Sequence, residues 1–168
     1  MIATFTLNAA IDRTVRISTL CRGDLNRAVV VSVRAGGKGI NVASISHALG
    51  AEAVASGFVG GHAGRFIETD VRRMGVRAEF VEIDGESRVC LAIIEDSSGT
   101  VTEITENGPR VDECSIDKLE AKVRSLASAA RVCVFSGSLP PGCPDDLYGR
   151  LVYAAKRQEC FAVLDTSG

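Results

Sequence analysis

The stretch "RAGGKGINVA", Arg34 to Ala43, sets three glycines, a lysine and an asparagine at the start of an apolar run. That set of residues suits a phosphate or a polyol. Gly36 and Gly37 can adopt positive φ and let a ligand approach the backbone closely. The helix predicted to follow directs free N–H groups and its dipole at the same spot, which favours an anion. Lys38 adds a full charge, and Asn41, in the first turn, can both donate to and accept from a hydroxyl-rich ligand. The stretch is not a P-loop, because Gly39 rather than Ser or Thr follows Lys38, and it is not the dinucleotide G-x-G-x-x-G. Its plainer role would be a glycine-rich turn that lets a strand meet a helix.

Three other residues could join such a site. Asp12, in "NAAIDRT", stands just past the first strand-like run, where a carboxylate can accept from sugar hydroxyls; alone it could equally cap its own turn. Arg88 opens a later strand and could fork onto a phosphate, or be a solvated edge charge. Ser138, in "SGSLPPG", follows a buried strand, and its diproline could fix either a binding loop or a simple connection. A metal site is not predicted. Asp145, Asp146, Glu103 and Glu106 lack EF-hand spacing, and the six cysteines form no C-x-x-C and share no ligand spacing with His47 or His62. Asp145 and Asp146 read instead as first-turn residues of a helix, favoured by its dipole.

The elements that must position these residues alternate through most of the chain. Strands are predicted at "ATFTLN", "AVASGFVG", "AEFVEI", "RVCVFSG" and "CFAVLD". Helices are predicted over about Gly39–Leu49 (apolar face Ile40, Ala43, Ala48 and Leu49), Gly64–Met74 and Ser115–Ala127 (capped by Asp112 or Ser115). A fourth is led by Pro144 and carries Leu147, Leu151, Val152 and Ala155. Alternation of this kind implies a parallel sheet covered by helices. Two segments, 13–33 and 86–106, contain strand patterns only, with "SSG" as a hairpin signal in the second. They read as one small accessory sheet. Within 13–33, Val15, Ile17, Val29, Val31 and Val33 alternate, which implies one apolar face per strand. The ending "LDTSG" places a strand exit, where α/β sites form, at the last residues.

Bulk properties exclude several classes. The 168 residues suffice for a real core, with 46% hydrophobic and 24% charged residues and a net charge of −2. No basic stripe points to nucleic acid, and 5% aromatics without Trp make no base-stacking platform. The first residues form no signal peptide, and no run approaches the roughly 18 apolar residues of a membrane span. Unpaired cysteines are expected in a reducing cytoplasm.

Taken together and in order, "AGGKGINVA" with "ALG", "GFVGGHAG", "GSLPPG" and "LDTSG" resemble the phosphofructokinase B family of the ribokinase superfamily. "TLNAAIDRT" is similar to the "TLNPAID" of its sugar-phosphate branch, nearest the 1-phosphofructokinases, with Ala9 in the place of proline. The resemblance implies a Rossmann-like parallel sheet with helices on both faces and a small β-sheet lid over 13–33 and 86–106. It implies ATP and Mg²⁺, transfer of a phosphoryl group to a sugar phosphate, and a homodimer formed through the lid. It places Asp12, Gly37, Lys38, Asn41, Arg88 and Ser138 around the sugar phosphate. The family's N-x-x-E and G-A-G-D motifs do not occur in these 168 residues. The resemblance therefore implies the N-terminal part of the domain, with the C-terminal part of the fold absent, the catalytic base expected beyond Gly168 and no phosphoryl transfer by residues 1–168 alone.

Overall fold

The computed structural model describes residues 1–166 and contains two sheets. The main sheet holds β1 (Ile2–Thr6), β4 (Ala53–Val59), β5 (Arg77–Ala78), β6 (Val81–Glu82), β9 (Val132–Ser136) and β10 (Phe161–Asp165). Its order is β10-β9-β1-β4-β5, with β6 also on β4, and every pair is parallel. The predicted strand "AEFVEI" is thus two short pieces, each running beside β4. The smaller sheet, of order β3-β2-β7-β8, holds β2 (Ala10–Ile17), β3 (Val29–Gly36), β7 (Arg88–Glu95) and β8 (Val101–Thr105). It is the accessory sheet predicted from the two strand-only segments.

Alternation decides which side of the main sheet each helix covers. Ala3, Phe5 and Leu7 of the first strand and its exit, with Cys133 and Phe135 of β9, pack against α3 (Glu113–Ala127) and α4 (Leu147–Lys156). Ala55 and Val59 of β4 pack on the other side, against α1 (Lys38–Ala48) and α2 (Gly61–Arg73). Asp112 caps α3, its carboxylate accepting from the Ser115 N–H at 2.7 Å. Ile40 and Ala43 of α1 are buried as predicted, but Leu49 is 83% exposed. Nine residues after Ile40 is two and a half turns, so Leu49 lies on the opposite side of the helix. Pro144 and Asp145 precede α4 and Asp146 is its N-cap, so the helix begins later than the sequence implies.

The smaller sheet also departs from its expected pattern. A bulge between Thr14 and Val15 sets Val33 opposite Arg13 but Val30 opposite Val15 and Val29 opposite Arg16. One extra residue in β3 reverses the alternation. The valines at 29, 31 and 33 therefore do not form a single apolar face with Val15 and Ile17. The two sheets are fastened by side chains as well as by the chain itself. The Ala35 N–H donates to Asp70 of α2 at 2.8 Å, and the Gly60 N–H donates to buried Ser87 at 2.9 Å.

Phe5 and Phe135 stack at the centre of the main sheet, 4.8 Å between ring centroids, and both are fully buried. Phe135→Ala should cost about 3–5 kcal/mol in urea unfolding. Phe161→Ala, at a side chain 68% exposed, should fall within about 0.5 kcal/mol of zero. Equal costs would contradict the placement of the core.

Candidate active site

The main sheet runs outward in two directions from β1, toward β4 on one side and toward β9 on the other. Such a reversal opens a crevice at the C-terminal strand ends. The smaller sheet stands over that crevice, and together they enclose a cavity of about 460 Å³. Asp12, Gly37, Lys38, Asn41, Arg88 and Ser138, scattered across 127 positions of sequence, all line it.

The glycines of the opening stretch hold α1 against the strands. Gly37 is the helix N-cap with φ of 120°, a conformation suited to glycine, and offers no side chain to the first-turn N–H groups. A Cβ at Gly39 would run into the Thr6 hydroxyl and the Phe5 carbonyl, which explains why no Ser or Thr follows Lys38. Gly36 does not have the positive φ its sequence allowed; it ends β3. Its role is space, because the Asp12 carboxylate lies where a Cβ would be.

Asp12 lies within β2 rather than in a turn after a strand, and this rules out its plainer reading as a turn cap. It is half-buried, and burial raises its pKa above the ordinary carboxylate value. Arg88 opposes that shift, and the nearby charge of Glu103 reinforces it. Arg88 begins β7 and is not a free edge charge. Its Nε donates to the Asn8 carbonyl and its Nη1 to the Glu106 carbonyl, each at 3.1 Å. Two of its five N–H groups are thereby fixed, and three remain. Lys38 Nζ lies 3.9 Å from Asp165, which also accepts from Ser136 at 3.0 Å. Ser138 lies two residues beyond β9 and is exposed. The Gly137 carbonyl beside it accepts from the Tyr148 hydroxyl at 2.9 Å and from the Thr166 hydroxyl at 3.1 Å.

Sequence reading missed Thr6, Asn8, Cys90, Glu103 and Thr105, all of which line the same cavity. A usable sequence signal existed for Cys90, while Glu103 and Thr105 follow only from the register. Alternate residues from Arg88 along β7 share its face, which gives Cys90, and the register pairs Cys90 with Thr105 and Ala92 with Glu103. Burial raises the Cys90 thiol above its usual pKa. Glu106 accepts from the Val89 N–H at 2.8 Å, so it is a structural bridge between β7 and the end of β8. Among the described residues no group of three or more His, Cys, Asp or Glu is arranged to hold a metal ion. The described residues thus supply no ligand cluster of that kind for the Mg²⁺ implied by the resemblance. The end of "LDTSG", Ser167 and Gly168, lies outside the described residues.

Residues 5–168 match the pfkB family carbohydrate kinase model. The chain belongs to that family. It is 36% identical over 168 residues to a tagatose-6-phosphate kinase of Staphylococcus epidermidis, covering all of this chain and 54% of the relative. The fold superposes on a possible 1-phosphofructokinase from Thermotoga maritima with a TM-score of 0.92 at 31% identity, over 99% of this chain and 54% of the other. It superposes equally, at 0.92 and 29% identity, on phosphofructokinase-2 from Escherichia coli in complex with fructose-6-phosphate, over 99% and 55%. The same Escherichia coli protein is known in a tetrameric inhibited form. The chain thus spans about half the length of these relatives.

The elevated Asp12 pKa carries a stability consequence. An acid whose folded pKa is raised favours the folded state below its unfolded value of 3.8 and loses that contribution as pH rises through the raised value. Ionised Asp12 therefore opposes folding at neutral pH. Asp12→Asn should raise the thermal midpoint at pH 7 by a few degrees at most, and the gain should vanish below pH 4. A destabilised variant at pH 7 would show that its partners outweigh its burial.

Proposed function

We propose that this chain forms the sugar-phosphate site of an ATP-dependent kinase, with fructose 1-phosphate as substrate and fructose 1,6-bisphosphate as product. The observation that carries the reading is the pairing, in one cavity, of a cationic end with a hydroxyl-binding end. Lys38, the remaining N–H groups of Arg88 and the uncapped first turn of α1 suit the phosphate already on the sugar. Asp12 and Asn41 suit its hydroxyls. Transfer breaks the β–γ phosphoanhydride link of ATP, joins the phosphoryl group to a sugar hydroxyl and releases that hydroxyl's proton. These residues bind and orient the acceptor. The base and the Mg²⁺–ATP ligands are assigned to no residue of this chain.

Tagatose 6-phosphate is the alternative substrate, favoured by the 36% identity to a tagatose-6-phosphate kinase, and fructose 6-phosphate is a third. A sugar-phosphate-binding module without catalysis uses the same cavity. Calorimetric titration of the 168-residue chain with the three sugar phosphates separates the substrate readings, and an assay for sugar-dependent ADP formation tests whether residues 1–168 transfer a phosphoryl group on their own. Binding of fructose 1-phosphate without ADP formation is the expected result. Binding of none of the three overturns the function. In the same titration Lys38→Ala and Arg88→Ala should each weaken binding roughly 10- to 100-fold, from the loss of hydrogen bonds to a charged group worth about 1.5–3 kcal/mol. Unchanged affinity in both variants would remove them from the site.

We further propose a homodimer through the outer face of the smaller sheet and a cytoplasmic location, the latter in keeping with six free cysteines. No helix among the described residues is long and apolar enough to cross a membrane. Val89, Ile93 and Ile104 line a crevice of about 450 Å³ on the other face of the smaller sheet, and Ile104 is 55% exposed. Ile104→Lys should convert a dimer to a monomer in light scattering, and a parent chain that is already monomeric would refute the assembly.

A further inference from the structure

The floor of the cavity contains two polar side chains whose bonding is incomplete. Thr6 and Asn8 are 2% and 6% exposed, and both line the cavity. Neither Thr6 Oγ1 nor Asn8 Oδ1 has a hydrogen-bond partner among the described residues. Buried polar atoms without partners are uncommon, because each forfeits its hydration. Both atoms are closed over by glycines, Thr6 Oγ1 by Gly39 and Asn8 Oδ1 by Gly108, so these side chains are held rigidly behind the cavity wall.

The other half of the Asn8 carboxamide is fully engaged. Nδ2 donates to the Asn107 carbonyl at 3.1 Å and to Ser138 Oγ at 3.2 Å. A carbonyl can only accept, so the bond to Asn107 fixes which end of the amide is nitrogen. Ser138 Oγ must then be the acceptor in its own bond to Asn8. A serine hydroxyl has one proton, and that proton is left to point away from Asn8. Ser138 is exposed on the cavity side, so the proton is directed at whatever the cavity holds. Gly108 makes room for this arrangement, since a Cβ there would collide with Asn8 Oδ1.

We propose that Asn8 is a positioning residue for the sugar-phosphate site: it fixes the Ser138 hydroxyl as a donor toward the ligand. The proposal rests on the sugar-phosphate reading above. If Asn8 acts through Ser138, the two residues contribute one effect rather than two.

The test is a double-mutant cycle read by calorimetric titration of the 168-residue chain with fructose 1-phosphate. Asn8→Ala and Ser138→Ala should each weaken binding about 10-fold, and the double variant should be no more than about 20-fold weaker than the parent. Independent effects would multiply to roughly 100-fold, and that outcome overturns the proposal. So does parent-like affinity in Asn8→Ala. A parent chain that binds no sugar phosphate overturns the underlying reading together with this one, which distinguishes the two failures. Should Asn8→Ala not fold, the unmodified chain labelled with ¹⁵N supplies the answer. The Asn8 side-chain amide resonances should shift on adding fructose 1-phosphate, and unmoved resonances overturn the assignment.

Discussion

The structure depends on a join of three residues. The chain leaves the central strand of the main sheet at Thr6 and enters the smaller sheet at Ala10. Leu7 is buried among residues packed on α3 and α4, and Ala9 among residues packed on α1 and α2. The join is therefore pinned from both sides of the main sheet, and Asn8, between the two, is turned toward the cavity. Its amide reaches the loop after β8 and the loop after β9, and its carbonyl holds Arg88. One short segment thus brings together the exits of two main-sheet strands and the entry of a strand in the other sheet.

That join permits a site only because the helix beside it can come very close. Gly37 and Gly39 let the first turn of α1 sit directly on Thr6, and Gly36 leaves the space that the Asp12 carboxylate occupies. A side chain at Gly37 or Gly39 would force α1 away from β1, and one at Gly36 would displace the Asp12 carboxylate. The same closeness accounts for the burial of Asp12 and hence for its raised pKa.

Features governed by local rules were legible in the sequence. The alternation of strands and helices, the separate strand-only segments and the cap at Asp112 are all written in periods and residue types. Charge, glycine and strand exits drew attention to six residues that line the cavity, and the family resemblance grouped them around one ligand. The features that stayed hidden depend on register. Glu103 and Thr105 join the cavity through their pairing across β7, and a bulge of one residue reverses the alternation that Val29, Val31 and Val33 suggested. Asn8 was hidden for another reason. An asparagine after a strand reads as a turn residue, and its meaning comes from Asn107 and Ser138, which lie about a hundred positions or more away.

Two of the three cations lining the cavity, Arg88 and Lys38, are held in different ways. Arg88 is held by carbonyl oxygens, which orient the guanidinium without cancelling its charge. Lys38 faces a carboxylate across 3.9 Å, with both side chains more than half exposed. Such a pair is worth little and is screened by salt. On the proposed reading, an arriving phosphate meets Arg88 already aimed, with little side-chain entropy left to lose. It must draw Lys38 away from Asp165, at small cost. Arg88 is suited to fixing the direction of the phosphate and Lys38 to supplying attraction over distance, so that rising ionic strength weakens the contribution of Lys38 before that of Arg88.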